Sequence, residues 1–355
     1  MEKKKKVVVG MSGGVDSSVS ALLLKQQGYD VIGLFMRNWE DKDGTCTASQ
    51  DYDDVVRVCT TIDIPYYTIN FATEYMDTVF SHFIRELKLG YTPNPDILCN
   101  REIKFKVFFE KAMELGADYL ATGHYAQTKN GQLMRSIDQD KDQTYFLYTL
   151  KKEILEKVLF PIGHLKKDQV RQIAKAHGLS TAEKKDSTGI CFIGERKFRD
   201  FISEYIPYQE GRFETLAGQA VGTHQGAAFY TIGQRKGLRI GGPGQAWFVV
   251  DKDIARNIVY VEQGDDHPAL YNTVLTATEA SWVSGVAPEA PFRCTSKIRY
   301  RQTDQECLIE KIEGDPNNDR LFVSFPLPQR AITPRQAIVF YDGPVCLGGA
   351  LICPR

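Results

Sequence analysis

No stretch of the 355-residue chain approaches the roughly 20 consecutive apolar residues that a membrane span requires. The charged N-terminus runs into a short apolar segment rather than a signal peptide's longer one, so a cytoplasmic protein with no membrane partner is expected. Excess charge of one sign is lacking too. Its 44 basic and 45 acidic residues leave a net charge of −1, which excludes the basic whole-chain character of many nucleic-acid binders but not a local basic face. The Lys3–Lys6 run reads as a solvated tail. Eight cysteines (46, 59, 99, 191, 294, 307, 346 and 353) are scattered without one C-x-x-C pair, which removes the zinc and thioredoxin-type readings. In a reducing compartment they start as thiols, and most read as small buried hydrophobes. Neither G-x-x-x-x-G-K-[ST] nor G-x-G-x-x-G occurs, so the ordinary kinase, GTPase and dinucleotide-binding readings fall away. Internal repeats and low-complexity segments are absent.

What is present is enough chain, 43% of it hydrophobic, to fill two or three domains. From Val7 to about Leu179, short apolar runs alternate with helical stretches, the pattern of a doubly wound parallel α/β sheet. Strands are expected at Lys6–Gly10, Asp30–Met36, Tyr66–Asn70 and Tyr119–Thr122. Helices are expected near Ser17–Gln27, Asp51–Ile62, Ile103–Leu115 and Lys167–His177. After about Tyr205 the texture becomes Gly-rich and β-like. A further strand-rich region (Thr273–Ala280, Phe292–Arg301, Cys307–Ile312, Leu321–Phe325, Ala337–Asp342) reads as a small antiparallel barrel or sandwich. The expected division is 1–205, 206–270 and 271–355.

In doubly wound sheets ligands bind beyond the carboxyl ends of the strands, and the distinctive residues gather there. Between the first strand and its helix lies Gly10-Met11-Ser12-Gly13-Gly14-Val15-Asp16-Ser17-Ser18. Its glycines let backbone approach an anion, its serines offer hydroxyls, and the helix N-terminus adds positive dipole: a phosphate cradle. Asp16 beside phosphates reads as a Mg²⁺ ligand or its support, or as a helix N-terminal cap. Cys99 sits in Thr92-Pro93-Asn94-Pro95-Asp96-Ile97-Leu98-Cys99-Asn100, read as an extended loop ahead of the Ile103–Leu115 helix. A helix N-terminus with Arg101 and Lys104 nearby would lower the thiol pKa, with Asp96 as proton acceptor or base-binding carboxylate; the alternative is a cysteine packed under a loop. Cys191, in Asp186-Ser187-Thr188-Gly189-Ile190-Cys191-Phe192-Ile193-Gly194, reads either as a functional loop thiol or as a packed one. Gly123-His124-Tyr125 favours a turn with a satisfied histidine. Lys141-Asp142-Gln143 favours a solvated loop. Arg299-Tyr300-Arg301 alternates on an expected strand, facing solvent or offering cations and a ring to a nucleotide.

The Ser-Gly-Gly-x-Asp-Ser turn resembles the PP-loop of ATP pyrophosphatases, which transfer AMP to a substrate oxygen. These segments together with Tyr230-Thr231-Ile232-Gly233-Gln234-Arg235-Lys236-Gly237-Leu238 resemble, end to end, the tRNA-specific 2-thiouridylases. The resemblance implies an adenine nucleotide alpha hydrolase-like α/β domain, then a small Gly-rich β-containing domain and a C-terminal β-barrel that holds tRNA. It implies ATP-dependent adenylation of the C2 oxygen of the wobble uridine, position 34, followed by displacement of AMP by sulfur. Cys191 would carry a persulfide received from a cysteine desulfurase or sulfur-relay protein. Cys99 would either attack it, releasing sulfide and leaving a Cys99–Cys191 disulfide, or assist direct transfer. Carried over residue by residue, Gly10, Met11, Ser12, Gly13, Gly14, Val15, Asp16, Ser17, Met36 and Gly123 would meet ATP with Mg²⁺. Asn94, Pro95 and Asp96 would meet the target base, with Asp96 a general base. His124, Lys141, Asp142, Gln143, Arg299, Tyr300 and Gln336 would contact tRNA. Two competing readings remain: a PP-loop synthetase or amidotransferase acting on a small molecule, which needs no paired thiols, and a non-catalytic RNA-binding protein with a degenerate ATP site.

Overall fold

The computed structural model describes residues 4–39, 48–186, 198–314 and 319–354. Cys191 and the rest of its glycine-bounded segment from Ser187 to Gly194 lie outside the described residues. The first unit is a parallel five-stranded sheet in the order β3–β2–β1–β4 plus a short edge strand, Val158–Leu159. Its strands are β1 (Lys6–Met11), β2 (Asp30–Arg37), β3 (Tyr66–Asn70) and β4 (Tyr119–Thr122). Val7, Val8 and Val9 have no exposed surface, because a parallel sheet is covered on both faces and its central strand reads as an unbroken apolar run. The side-chain alternation still sorts them. Val8 joins the core that contains Leu34, Leu120, Cys99, Ile103 and Phe108. Val7 and Val9 join the opposite core with Val19, Val55, Ala121 and Val170. One face is therefore covered by helix α1 (Val15–Gln26), α2 (Ala48–Thr61) and the helix Lys167–Ala176, and the other by the segment that carries Cys99.

That segment departs from expectation. It is not one helix starting at Ile103 but a capped turn of helix, Pro95–Leu98, continuing through a π-helical stretch, Cys99–Val107, into Phe108–Glu114. Within it Phe105 leaves helical geometry (φ −105°, ψ 17°), a local irregularity of the kind that is frequent at functional sites.

A second, four-stranded sheet runs Trp247–Asp253, Ile258–Gln263, Gly211–Glu214, Ala220–His224 in spatial order. The C-terminal strands form a closed six-stranded barrel: Tyr271–Trp282, Arg320–Arg330, Gln305–Glu313, Phe292–Lys297, Ala337–Asp342 and Val345–Ile352, the last pairing back to the first. The Val345–Ile352 strand escapes the sequence reading because Gly348-Gly349 dilutes its strand propensity. Arg299 and Tyr300 are not on a strand as expected. Phe292–Lys297 ends before them and they lie in the turn that follows. A hairpin of the first unit, Ala126–Lys129 with Gln132–Arg135, adds itself to the barrel's last strand through Val345 opposite Met134 and Cys346 opposite Leu133. Among the described residues no helix is long and apolar enough to cross a membrane.

Candidate active site

Gly14, extended and without a side-chain cap, ends the turn after β1 and leaves the α1 N-terminus open. Within the turn the hydroxyls satisfy one another: Ser17 Oγ accepts from Ser12 N at 3.2 Å and donates to Gly14 O at 3.1 Å, and Ser18 Oγ donates to Gly14 O at 2.8 Å. Two close backbone approaches clamp the loop. Gly13 holds φ +71°, and a Cβ there would stand 2.5 Å from Asp51 O. A Cβ on Gly123, just past β4, would stand 2.7 Å from Ser17 N and 2.8 Å from Asp16 C. Met36, half-buried near the end of β2, occupies the neighbouring strand end.

The cradle that lacks a Walker lysine is nonetheless surrounded by ammonium groups from far along the chain. Lys167 Nζ donates to both Asp16 oxygens at 2.8 Å and pairs with Asp186 Oδ1 at 2.8 Å. The Tyr125 hydroxyl adds a bond to Asp16 Oδ1 at 3.0 Å. Lys184 Nζ reaches Gly13 O at 3.0 Å and bridges Asp51 and Asp54, each at 2.6 Å. Burial opposes the Lys184 charge, but these two carboxylates outweigh it and raise its pKa. Burial also opposes the Asp186 charge, yet the bonds from Lys141 and Lys167 hold its carboxyl down at about 2. Residue reading missed both lysines. The one local signal was Lys166-Lys167 opening a helix, where the macrodipole disfavours cations, so a tertiary partner has to hold Lys167 there.

Asp16 does not fit a magnesium ligand in this arrangement, because both its oxygens are taken by Lys167. Among the described residues no cluster of three His, Cys, Asp or Glu side chains is arranged to hold a metal ion.

Asn94 caps the helix that carries the second half of the site. Its Oδ1 accepts from Asp96 N at 3.1 Å and Ile97 N at 3.4 Å, with Pro95 at the first helical position. Cys99 is therefore not in a loop ahead of a helix. It is buried, a turn inside one, and Arg101 pairs with Glu102 at 2.7 Å. Burial raises the Asp96 pKa, with Lys104 partly offsetting it. His124 bonds Thr122 Oγ1 through Nδ1 at 2.8 Å and lies against Phe105 and Phe160, at ring separations of 5.8 and 6.2 Å. Burial first, and Lys104 second, push its pKa well below the usual value, so the imidazole is neutral. Consecutive residues thus face two ways: Gly123 presses on the start of α1, and His124 packs on the Cys99-bearing segment. A Cβ on Gly10 would stand 3.3 Å from Phe108, so that segment also lies directly on the end of β1.

The residues expected at tRNA divide. Lys141 is engaged by Asp186 at 2.8 Å. Asp142, far from being in a solvated loop, is buried and accepts from Ser136 N at 2.9 Å and Thr144 Oγ1 at 2.6 Å. Gln143 accepts from Tyr125 N at 2.8 Å and so shapes the turn after β4. Arg299 donates to Arg330 O at 2.8 Å. The Tyr300 ring lies 4.5 Å from that of Phe146, whose carbonyl accepts from Asn100 Nδ2 at 3.0 Å. Gln336 Nε2 donates to Thr92 O. The barrel therefore bonds the Thr92 end of the Thr92–Asn100 stretch directly and reaches its Asn100 end through Phe146.

Three sequence families match in succession: residues 5–195 the tRNA methyl transferase HUP domain, 199–263 the tRNA methyl transferase PRC-barrel domain, and 272–352 the aminomethyltransferase beta-barrel domain. A protein of Protochlamydia amoebophila named tRNA-specific 2-thiouridylase MnmA is 63% identical, over 99% of this chain and 94% of its own. Proteins of the same name from Oceanobacillus iheyensis (57%, over 99% and 95%) and Geobacillus thermodenitrificans (58%, over 98% and 94%) are similar along nearly the whole length.

Proposed function

The chain belongs to the tRNA-specific 2-thiouridylase family and is an ATP-using tRNA sulfurtransferase, and we propose which of its residues carry the reaction. The observation that supports the assignment is the β4 end, where Gly123 lies against the backbone of Asp16 and Ser17 and His124 packs on Phe105, in the helical segment that carries Asp96 and Cys99, so that one strand terminus joins the proposed nucleotide half-site to the segment bearing the thiol.

On this reading ATP lies against Gly10–Ser17, with Met36 and Gly123 beside it. The wobble uridine, held by Asn94, Pro95 and Asp96, attacks the α-phosphorus through its C2 oxygen, and pyrophosphate leaves. A pyrimidine carbonyl oxygen is a poor leaving group, whereas AMP is a good one, so adenylation splits one hard substitution into two easier steps. Donors at the helix N-terminus stabilise charge on the phosphates. Sulfur then bonds to C2 and the C2–O bond breaks, releasing AMP. Asp96, its pKa raised by burial, serves as general base. The sulfur comes from a persulfide on Cys191, loaded by a cysteine desulfurase or sulfur-relay protein. Cys99 either cleaves that persulfide, forming a disulfide with Cys191, or assists its direct transfer. Lys167 already neutralises Asp16, so no protein-held magnesium enters a step; a divalent ion would arrive on the triphosphate. His124, Lys141, Asp142, Gln143, Arg299, Tyr300 and Gln336 shape or line the tRNA side, and the protein works in the cytoplasm, where ATP and tRNA meet. Methyl transfer, the chemistry in the matched families' description, has no use for a phosphate cradle of this kind.

The test is incubation with unmodified tRNA, Mg²⁺, ATP and a sulfide or persulfide donor, followed by nucleoside analysis. The expected result is 2-thiouridine at position 34 with stoichiometric AMP, abolished in Cys99→Ser and Cys191→Ser. Full activity in either variant would refute the assignment of the thiols, and tRNA-independent AMP release onto a small molecule would favour a synthetase.

A further inference from the structure

The turn Tyr230–Leu238 takes no part in the chemistry above, yet it is built with care. Gly233 N donates to Val249 O at 2.7 Å and Gln234 N to Thr231 O at 3.0 Å. The Gln234 side chain staples the turn from inside, accepting from Thr231 N and donating to Lys236 O, both at 3.0 Å. Its partners spent on backbone, the turn leaves Arg235 and Lys236 exposed at its tip and Arg239 exposed just beyond.

More cations converge on it. The Arg199 guanidinium lies 4.8 Å from the centre of the Tyr230 ring. A Cβ on Gly233 would lie 3.8 Å from Arg330 Nη1, so the barrel's Arg330 reaches the turn. Arg299 in turn bonds the Arg330 carbonyl at 2.8 Å. Several single cations elsewhere on the surface have a carboxylate partner, among them Lys106 with Glu102, Lys111 with Glu114, Arg57 with Asp54 and Arg256 with Asp253. Among the described residues Arg199, Arg235, Lys236, Arg239, Arg299 and Arg330 form no ion pair with any carboxylate. Like charges held together without counter-charge repel one another, so their convergence here suits an anionic partner. The track also leads to the site. Thr231 Oγ1 lies 3.2 Å from Thr92 Oγ1, two residues before the Asn94 cap, and Arg299 precedes Tyr300.

We propose that this track, running from Arg299 and Arg330 on the barrel across the Gly233 turn to Arg235, Lys236 and Arg239, binds the phosphodiester backbone of the substrate tRNA and fixes its register while the wobble base is handled at Asp96. The partner class follows from chemistry. Spaced, unpaired guanidinium and ammonium groups on a rigid turn match a row of phosphates, carry no base readout, and position rather than specify. The proposal rests on the tRNA reading above and adds to it a footprint away from the reacting base.

The test measures binding of unmodified tRNA to full-length protein between 50 and 300 mM salt. One variant is Arg235→Ala with Lys236→Ala; the control, Lys111→Ala with Lys175→Ala, removes equal charge elsewhere. If each lost cation neutralises one phosphate, the plot of log K against log salt becomes shallower by roughly 1.4 to 1.8, and affinity at 50 mM salt falls about ten- to a hundred-fold. Turnover at saturating tRNA stays at the wild-type value, since neither side chain touches the reacting atoms. An unchanged slope in the turn variant, or an equal change in the control, would overturn the proposal. Absence of 2-thiouridine from the wild-type protein would instead overturn the catalytic reading, and the salt slope would still decide this one.

Discussion

Lys167→Met isolates what the ammonium does for the proposed ATP half-site, because it keeps the length and apolar bulk of a side chain that is only 10% exposed. Three charge-assisted contacts at 2.8 Å disappear, two to Asp16 and one to Asp186. Breaking a fully buried pair costs about 3–5 kcal/mol. Here the Asp16 and Asp186 side chains retain 31% and 32% exposure, so water takes up part of the loss and about 2 kcal/mol is expected. Asp186 keeps Lys141 and Arg171, whereas among the described residues Asp16 keeps only the Tyr125 hydroxyl. The larger effect therefore falls on Asp16. An uncompensated carboxylate beside incoming phosphates, at an effective dielectric near 20, costs about 2–3 kcal/mol. That corresponds to a roughly 30- to 150-fold rise in the KM for ATP. The assay is tRNA-dependent AMP release at varied ATP, with tRNA saturating. Adding Asp16→Asn removes the orphaned charge and should restore most of the KM; adding Asp186→Asn should not. A Lys167→Met enzyme with wild-type KM for ATP, or one indifferent to Asp16→Asn, would refute the view that Lys167 exists to neutralise Asp16.

Gly123→Ala places a methyl 2.7 Å from Ser17 N, a backbone atom that cannot swing aside, so AMP release should fall at least about ten-fold with tRNA affinity within two-fold; near-normal AMP release would show the clamp to be slack. Because burial raises the Asp96 pKa, activity should rise with pH through a midpoint above the ordinary carboxylate value, and Asp96→Asn should remove both that limb and the activity; an unshifted limb would point to another base. The Asp186 carboxyl, depressed from 3.8 to about 2, contributes stability that is complete above its unfolded pKa and lost as pH falls toward 2. The shift caps this at about 2.4 kcal/mol, and exposure reduces it to about 1 kcal/mol. Asp186→Asn should therefore cost more in urea at pH 6 than at pH 3; a constant difference would contradict the linkage.

Strands with local signatures were readable as written: Tyr66–Asn70, Tyr119–Thr122 and Ala337–Asp342 have the bounds their apolar and β-branched runs suggest. The Pro95–Leu98 turn was not, since two prolines around Asn94 signal an extended loop, and only the Asn94 side chain, folded back onto Asp96 and Ile97, makes the same residues a helix start. Likewise Lys141-Asp142-Gln143 looks solvated because charge is usually outside, and Asp142 is buried only because Ser136 and Thr144 come to it.

The sequence by itself determined the glycine-serine turn between the first strand and its helix, and the parallel sheet, because each depends on residue type at short range: glycines for backbone approach, a strand and helix on either side, apolar runs of the right period. The counter-charges were decided by tertiary structure alone. Lys167 and Lys184 are separated from Asp16 and Gly13 by most of the first domain, and coulombic partners are chosen by proximity in space, which no local pattern encodes. So too with the β4 end, where Gly123 and His124 acquire opposite duties only when α1 and the Cys99 segment close over them from the two faces of the sheet.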